Sequence, residues 1–213
     1  MIYLLFLTKT YYLNQYICRK IKMSKKYYYI TFFIFSTIFI FLGCKNDDES
    51  QDTEWKDKNE AFFNKLGDRN ELTRIYAESG HGLKNGCNFI YYKVLKSGPK
   101  DQLSPIYTDN VSVHYTGATL AGFNESEDTI IAGKEFDTSY NDRNCISPGV
   151  YKPASFKLSG VIEGWWVALQ KMKPGDKWQV YIPCPLGYKE SGSGTAIPGY
   201  STLIFEIELV SVN

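Results

Sequence analysis

Catalytic chemistry has few places to sit in this chain of 213 residues. Its imidazoles are His81 and His114, and its five cysteines follow no zinc-ligand spacing, so no metal site is expected. No phosphate-binding loop, dinucleotide fingerprint or nucleophile elbow is written in it. What the sequence offers instead is aromatic: 16% of the residues are Phe, Trp or Tyr. The central stretch is Val161-Ile-Glu-Gly-Trp-Trp-Val-Ala-Leu-Gln-Lys-Met-Lys-Pro-Gly175. Trp165, Leu169 and Met172 recur at i, i+4 and i+7, which predicts one buried face of a short helix. Lys171 and Lys173 suit its C-terminal end, and Pro174-Gly175 stops it. A sheet wrapped around this helix makes Trp165 either core filling or the floor of an apolar pocket. Nothing in the sequence calls for a cofactor.

The elements that position this tryptophan are mostly strands. Phe89–Leu95 reads as a strand ended by Ser97-Gly98-Pro99. Val111, Val113 and Tyr115 alternate with Ser112, His114 and Thr116 in a second, half-buried strand that breaks at Gly117. A polar run from Gly122 to Gly133 predicts a hairpin tip or bulge. Residues 141–153 read as loop. Phe156 and Leu158 alternate around Lys157. Beyond the helix, Trp178, Val180 and Ile182 face one way and Lys177, Gln179 and Tyr181 the other. Pro183–Gly199 is a long Pro- and Gly-containing loop. Leu203, Phe205, Ile207 and Leu209 form the inner row of a closing strand, with Glu206 and Glu208 outward. The fold class expected is α+β: a bent antiparallel sheet around one short helix. A helical N-terminal segment over residues 54–85 precedes it, with Trp55, Phe62 and Leu66 on one face.

The beginning reads as targeting. Residues 1–43 hold six Lys/Arg and no acid. Taking those six from the 24 basic residues leaves 18 against 23 acidic ones, a net of −5 and no electrostatic reason to bind nucleic acid. The uncharged run Tyr27–Leu42 behind Lys25-Lys26 fits a signal peptide, with Met23 as the better start. Leu42-Gly43-Cys44 resembles a lipobox, which implies lipidation of Cys44; an uncleaved membrane anchor is the alternative. Residues 44–53 read as an acidic tether. The acidic residues just after Cys44 resemble the surface-export signal of Bacteroidota lipoproteins, which implies the outer face of an outer membrane, with the periplasmic face as alternative. Cys87, Cys145 and Cys184 then remain, allowing at most one bridge and leaving one thiol free.

Six blocks in register resemble the FKBP-type peptidyl-prolyl cis/trans isomerases. They are Val111-x-Val113-His-Tyr-Thr-Gly117, Phe136-Asp-Thr-Ser139, Phe156-Lys-Leu158, Val161-Ile-x-Gly-Trp165, Ile182-Pro183 with Tyr188, and Leu203-x-Phe205 with Leu209. The resemblance covers residues 86–213 and looks closest to macrophage-infectivity-potentiator-like and Bacteroidota lipoprotein members. It implies that Trp165 floors a substrate-proline pocket walled by Tyr115, Phe136, Phe156, Val161, Ile162 and Phe205. It further implies that Tyr188 and the Ile162 N–H hold the peptide main chain, that a half-buried Asp137 lies beside the rotating bond, and that Ile197 sits over the mouth. The family's residues with direct catalytic roles map to Phe136, Asp137 and Tyr188. Departures from its pattern are Ala154, Lys189 where a Gly is usual, the longer segments 120–135 and 141–153, and the loop around Ser193 and Ala196. The implied function is a monomeric isomerase that assists folding of exported or envelope proteins. Its partners are proline-containing polypeptides and FK506-like macrolides, and a lipid anchor ties it to the membrane. The alternative is a peptide-binding chaperone or assembly factor with little turnover.

Overall fold

In chain order the elements are α1 (Asp47–Lys65), β1 (Thr73–Tyr76), β2 (Phe89–Lys96), β3 (Asn110–Asn124), β4 (Thr129–Thr138), β5 (Cys145–Ser147), β6 (Val150–Tyr151), β7 (Ala154–Lys157), α2 (Glu163–Leu169), β8 (Lys177–Ile182) and β9 (Leu203–Val212). This computed structural model describes residues 47–77, 87–124 and 129–213. The signal segment 1–43, Cys44, residues 78–86 with His81, and the tip 125–128 lie outside the described residues. Seven strands form one antiparallel sheet in the order β1-β2-β8-β9-β3-β4, with β7 paired to the first half of β3.

Period-two alternation sorts the side chains onto two faces. On one face lie Ile90, Val111, Val113, Trp178, Val180, Ile182, Leu203, Phe205, Ile207 and Leu209, packed with Trp165, Leu169 and Met172 of the α2 region. On the other lie Tyr91, Leu120, Tyr181 and Ile204, covered by Phe62, Phe63 and Leu66 from α1 and the turn after it. The row expected to point outward from β8 is therefore split. Lys177 and Gln179 are half-buried, while Tyr181 is buried because α1 covers it. Glu206 and Glu208 sit on the same side as Lys177 and Lys96, which they meet at 2.6 and 3.4 Å. Gly164 lets α2 come close to the sheet, since a Cβ there would run into the Ile182 side chain.

Several boundaries differ from the sequence reading. The helix starts at Asp47, so residues 47–53 of the acidic tether are helical. The segment expected to be helical over 54–85 leaves the helix at Lys65, passes through a 3-10 turn at Leu66–Asp68, and becomes strand β1. Leu72, Ile75 and Tyr76 suit a helix by spacing, but the open edge of β2 supplies ladder partners, with Ile75 opposite Ile90. β3 continues through Gly117, where the pairing with β4 shifts register, so the glycine marks an irregularity and not an end. Residues 141–153 contain the β5–β6 hairpin, turned at Gly149 with φ +79°. α2 ends at Leu169, before Lys171 and Lys173, yet the Met172 N–H still donates to the Ala168 carbonyl and the side chain is fully buried.

The packing of α1 makes a direct prediction. Leu66 is 1% exposed between α1 and the sheet. Leu66→Ala should cost about 2–5 kcal/mol in urea unfolding. A loss below about 0.5 kcal/mol would mean that α1 does not cover that face.

Candidate functional site

The site is built around one indole. Trp165 lies in the first turns of α2, 4% exposed. Tyr115 from β3, Phe156 from β7 and Phe205 from β9 meet it at 5.0, 5.6 and 5.2 Å between ring centroids, all near 83°. Perpendicular contacts of this kind are favoured because the edge of one aromatic ring is positive and the face of the other negative. Phe136 from β4 then meets Phe205 edge-on at 5.5 Å. Gly117 makes this possible, because a Cβ there would strike both Phe205 and Phe136. Val161, Ile162 and Tyr188 pack against the same cluster half-buried, and Ile197 is buried within it. Trp165 Nε1 is buried, with no acceptor among the described residues.

One polar edge borders this cluster. The Tyr115 hydroxyl donates to Asp137 Oδ2 at 2.6 Å, and the Thr138 N–H donates to Asp137 Oδ1 at 2.9 Å. Asp137 is exposed, not half-buried as expected, because it lies on β4 at the sheet edge. Burial, and then the hydrogen bond to Asp137, raise the Tyr115 phenol far above its ordinary range. Burial and the charge of Asp137 also raise the Tyr188 phenol, so both phenols border the same carboxylate.

Of the expected site residues, Tyr115, Phe156 and Phe205 contact Trp165, Phe136 contacts Phe205, and Asp137 bonds Tyr115, while Val161, Ile162, Tyr188 and Ile197 belong to or pack on the wider core; Cys44 lies outside the described residues. Two open clefts lie elsewhere: one of about 680 Å³ beside α1, one of about 490 Å³ beside Tyr107 and Trp166. Neither is lined by Trp165, Phe136 or Tyr188. His114 faces away from the indole; it contacts Ser139 Oγ at 3.4 Å and stacks on Tyr140. Cys87, Cys145 and Cys184 are free thiols.

Sequence reasoning gave Ser139 no role. Its buried hydroxyl accepts the Tyr115 N–H at 2.9 Å, and its own N–H donates to the Tyr115 carbonyl at 2.9 Å. These bonds fix the Tyr115 main chain beside β4. The serine was visible at the end of the Phe136-Asp-Thr-Ser139 block, but its target was not. Lys189, where a glycine is usual, keeps the backbone that glycine favours, with φ +58°. The loop shape survives the substitution, at a local cost of about 1–2 kcal/mol.

A bent antiparallel sheet, one short helix on one face and an aromatic cluster at that helix's first turn define the FKBP-like fold class. Residues 103–210 match the family described as FKBP-type peptidyl-prolyl cis-trans isomerase. The chain is 37% identical over 131 residues to the peptidyl-prolyl cis-trans isomerase Mip of Coxiella burnetii, covering 62% of this chain and 48% of that protein. It is 38% identical over 131 residues to the FKBP-type 22 kDa peptidyl-prolyl cis-trans isomerase of Escherichia coli, covering 62% of this chain and 53% of that one. A crystal structure of a peptidyl-prolyl cis-trans isomerase from Pseudomonas syringae superposes with a TM-score of 0.55 at 26% identity, over 80% of this chain and 99% of that one. The chain belongs to the FKBP-type peptidyl-prolyl cis-trans isomerase family. It spans about half the length of these two curated relatives.

Two predictions arise here. Tyr181, like Tyr115, has its phenol raised by burial, to about 12. In the unfolded chain both phenols ionise near their ordinary value of about 10. The stability they contribute is therefore full below about pH 10 and is lost as pH rises toward their folded values. Urea unfolding at pH 9 and 11 should show this loss, and Tyr115→Phe should show a smaller one; equal losses would contradict the assignment for Tyr115. Separately, Lys189→Gly should raise stability by up to about 1 kcal/mol, since it relieves a left-handed residue. A clear destabilisation in the same assay would contradict that strain.

Proposed function

We propose that this chain catalyses cis/trans isomerisation of prolyl peptide bonds, with Trp165 as the floor on which the proline ring rests. The observation that carries this reading is the Trp165 indole clasped edge-on by Tyr115, Phe156 and Phe205, with half-buried Phe136, Val161, Ile162 and Tyr188 at its margin. Rotating an amide sacrifices resonance across a barrier of about 18–20 kcal/mol. The cis and trans prolyl states differ by only about 0.5–1 kcal/mol, so the reaction needs a lower barrier and no driving force. The twisted amide is less dipolar than the planar one. Transfer from water to an apolar aromatic surface therefore disfavours the planar ground state relative to the transition state. Each 1.36 kcal/mol of this difference is about tenfold in rate.

The surrounding groups hold the chain while it turns. Tyr188 supplies a hydroxyl, kept neutral by burial and by the nearby Asp137 charge. Ile162 stands at the N-cap of α2, where backbone N–H groups lack intrahelical acceptors, and its N–H is the second donor. Asp137 borders the turning carbonyl, and its hydrogen bond from Tyr115 ties the carboxylate to the aromatic wall. Phe136 and Phe205 close one side, and Ile197 closes the mouth. The substrates are proline-containing segments of exported or envelope proteins. FK506-like macrolides compete for the same hollow. Anchorage through lipidated Cys44 on the outer membrane follows from the signal-like and Leu42-Gly43-Cys44 sequence.

The test is isomerisation of a proline-containing tetrapeptide by the full chain in mild detergent. The wild type should accelerate exchange at least tenfold over the uncatalysed rate, and Phe136→Ala should remove about nine-tenths of kcat/KM without unfolding the protein. Peptide binding with no acceleration would mean a binding module instead of an enzyme.

A further inference from the structure

We infer that Asn59 of α1 is a positioning residue for the loop that carries Tyr188 and Ile197; the inference rests on the prolyl-isomerase reading above. Asn59 is a polar side chain only 1% exposed on a helix that otherwise docks through Phe62, Phe63 and Leu66. Its Oδ1 accepts the Thr202 N–H at 2.7 Å, and its Nδ2 donates to the Trp55 carbonyl at 2.8 Å, which fixes the orientation of the amide. The Thr202 hydroxyl donates in turn to the Asn59 carbonyl at 3.4 Å. The helix thus grips the loop's last residues from both backbone and side chain.

Two short routes lead from this grip to the site. Two residues before Thr202, the Tyr200 N–H donates at 3.1 Å to the carbonyl of Lys189, the residue after Tyr188. The Trp55 indole N–H donates to Ser201 Oγ at 3.3 Å, and the Ser201 hydroxyl donates at 2.6 Å to the carbonyl of Pro198, the residue after Ile197. Both Lys189 and Tyr200 are left-handed, at φ +58° and +60°. Non-glycine residues hold that shape only where their surroundings over-determine it. The Lys56 ammonium lies 4.9 Å over the Tyr200 ring and adds a third contact from α1. Apolar packing alone would seat the helix on the sheet. What Asn59 adds is the position of a loop that carries both the Tyr188 hydroxyl and, over the mouth, Ile197.

The test uses the full chain and compares Asn59→Ala with Leu66→Ala, which loosens the same helix without touching the loop. Asn59→Ala should raise KM for the proline peptide at least threefold and leave kcat within twofold. Leu66→Ala should lower stability and leave both constants unchanged. In a Tyr188→Phe background, Asn59→Ala should lose more than half of its effect on KM. Unchanged constants in Asn59→Ala, or equal KM changes in both variants, would overturn the inference while leaving the isomerase reading intact. If the wild type shows no turnover, that reading fails alone, and amide exchange still decides the matter. The Ile197 and Tyr200 N–H groups should exchange at least tenfold faster in Asn59→Ala but not in Leu66→Ala; equal exchange in the two would overturn the inference. Should Asn59→Ala fail to fold, Trp55→Phe removes the donor to Ser201 and takes the same measurements with the same expected directions.

Discussion

Everything at this site depends on keeping one large indole dry and oriented. Burying a tryptophan removes about 150–250 Å² from water, worth about 4–6 kcal/mol at 25 cal/mol per Å². The rings of Tyr115, Phe156 and Phe205 add orientation to it. Two glycines let the neighbours come close enough: Gly164 brings α2 down onto Ile182, and Gly117 makes room for Phe136 and Phe205. A polar group in place of any of these rings would bring an unpaired donor or acceptor against the indole.

Much of this was legible because strand periodicity and helix periodicity are local. Leu203, Phe205, Ile207 and Leu209 announced an inner row, and all four are buried on the α2 face. Trp165, Leu169 and Met172 announced the inner face of α2, and all three are in that core. What was not legible depended on partners distant in sequence. Leu72, Ile75 and Tyr76 fit a helix until β2 offers an edge, and pairing then wins. Tyr181 fits an outward position until α1 covers it. Asp137 fits a half-buried carboxylate until β4 proves to be an edge strand. Ser139 and Asn59 carry no signal of their own, since a serine or asparagine names a donor and an acceptor but not their targets.

Among the described residues two helices pack on opposite faces of the sheet. α2 delivers the indole. α1 bonds to the loop between β8 and β9. That loop bonds to itself at Ser193 and Ile197 and is held by Asn59 and Trp55 where it enters β9. α1 is thereby tied to the same loop that carries Tyr188 and Ile197.

The proposed prolyl seat on Trp165 is open to one decisive measurement, a structure of the full chain with a bound proline-containing peptide. The prolyl ring should lie against the indole beside Phe136 and Phe205, with its flanking main chain bonded to the Tyr188 hydroxyl and the Ile162 N–H. A peptide seated instead in the cleft beside α1, with the aromatic cluster unoccupied at saturating peptide, would contradict it.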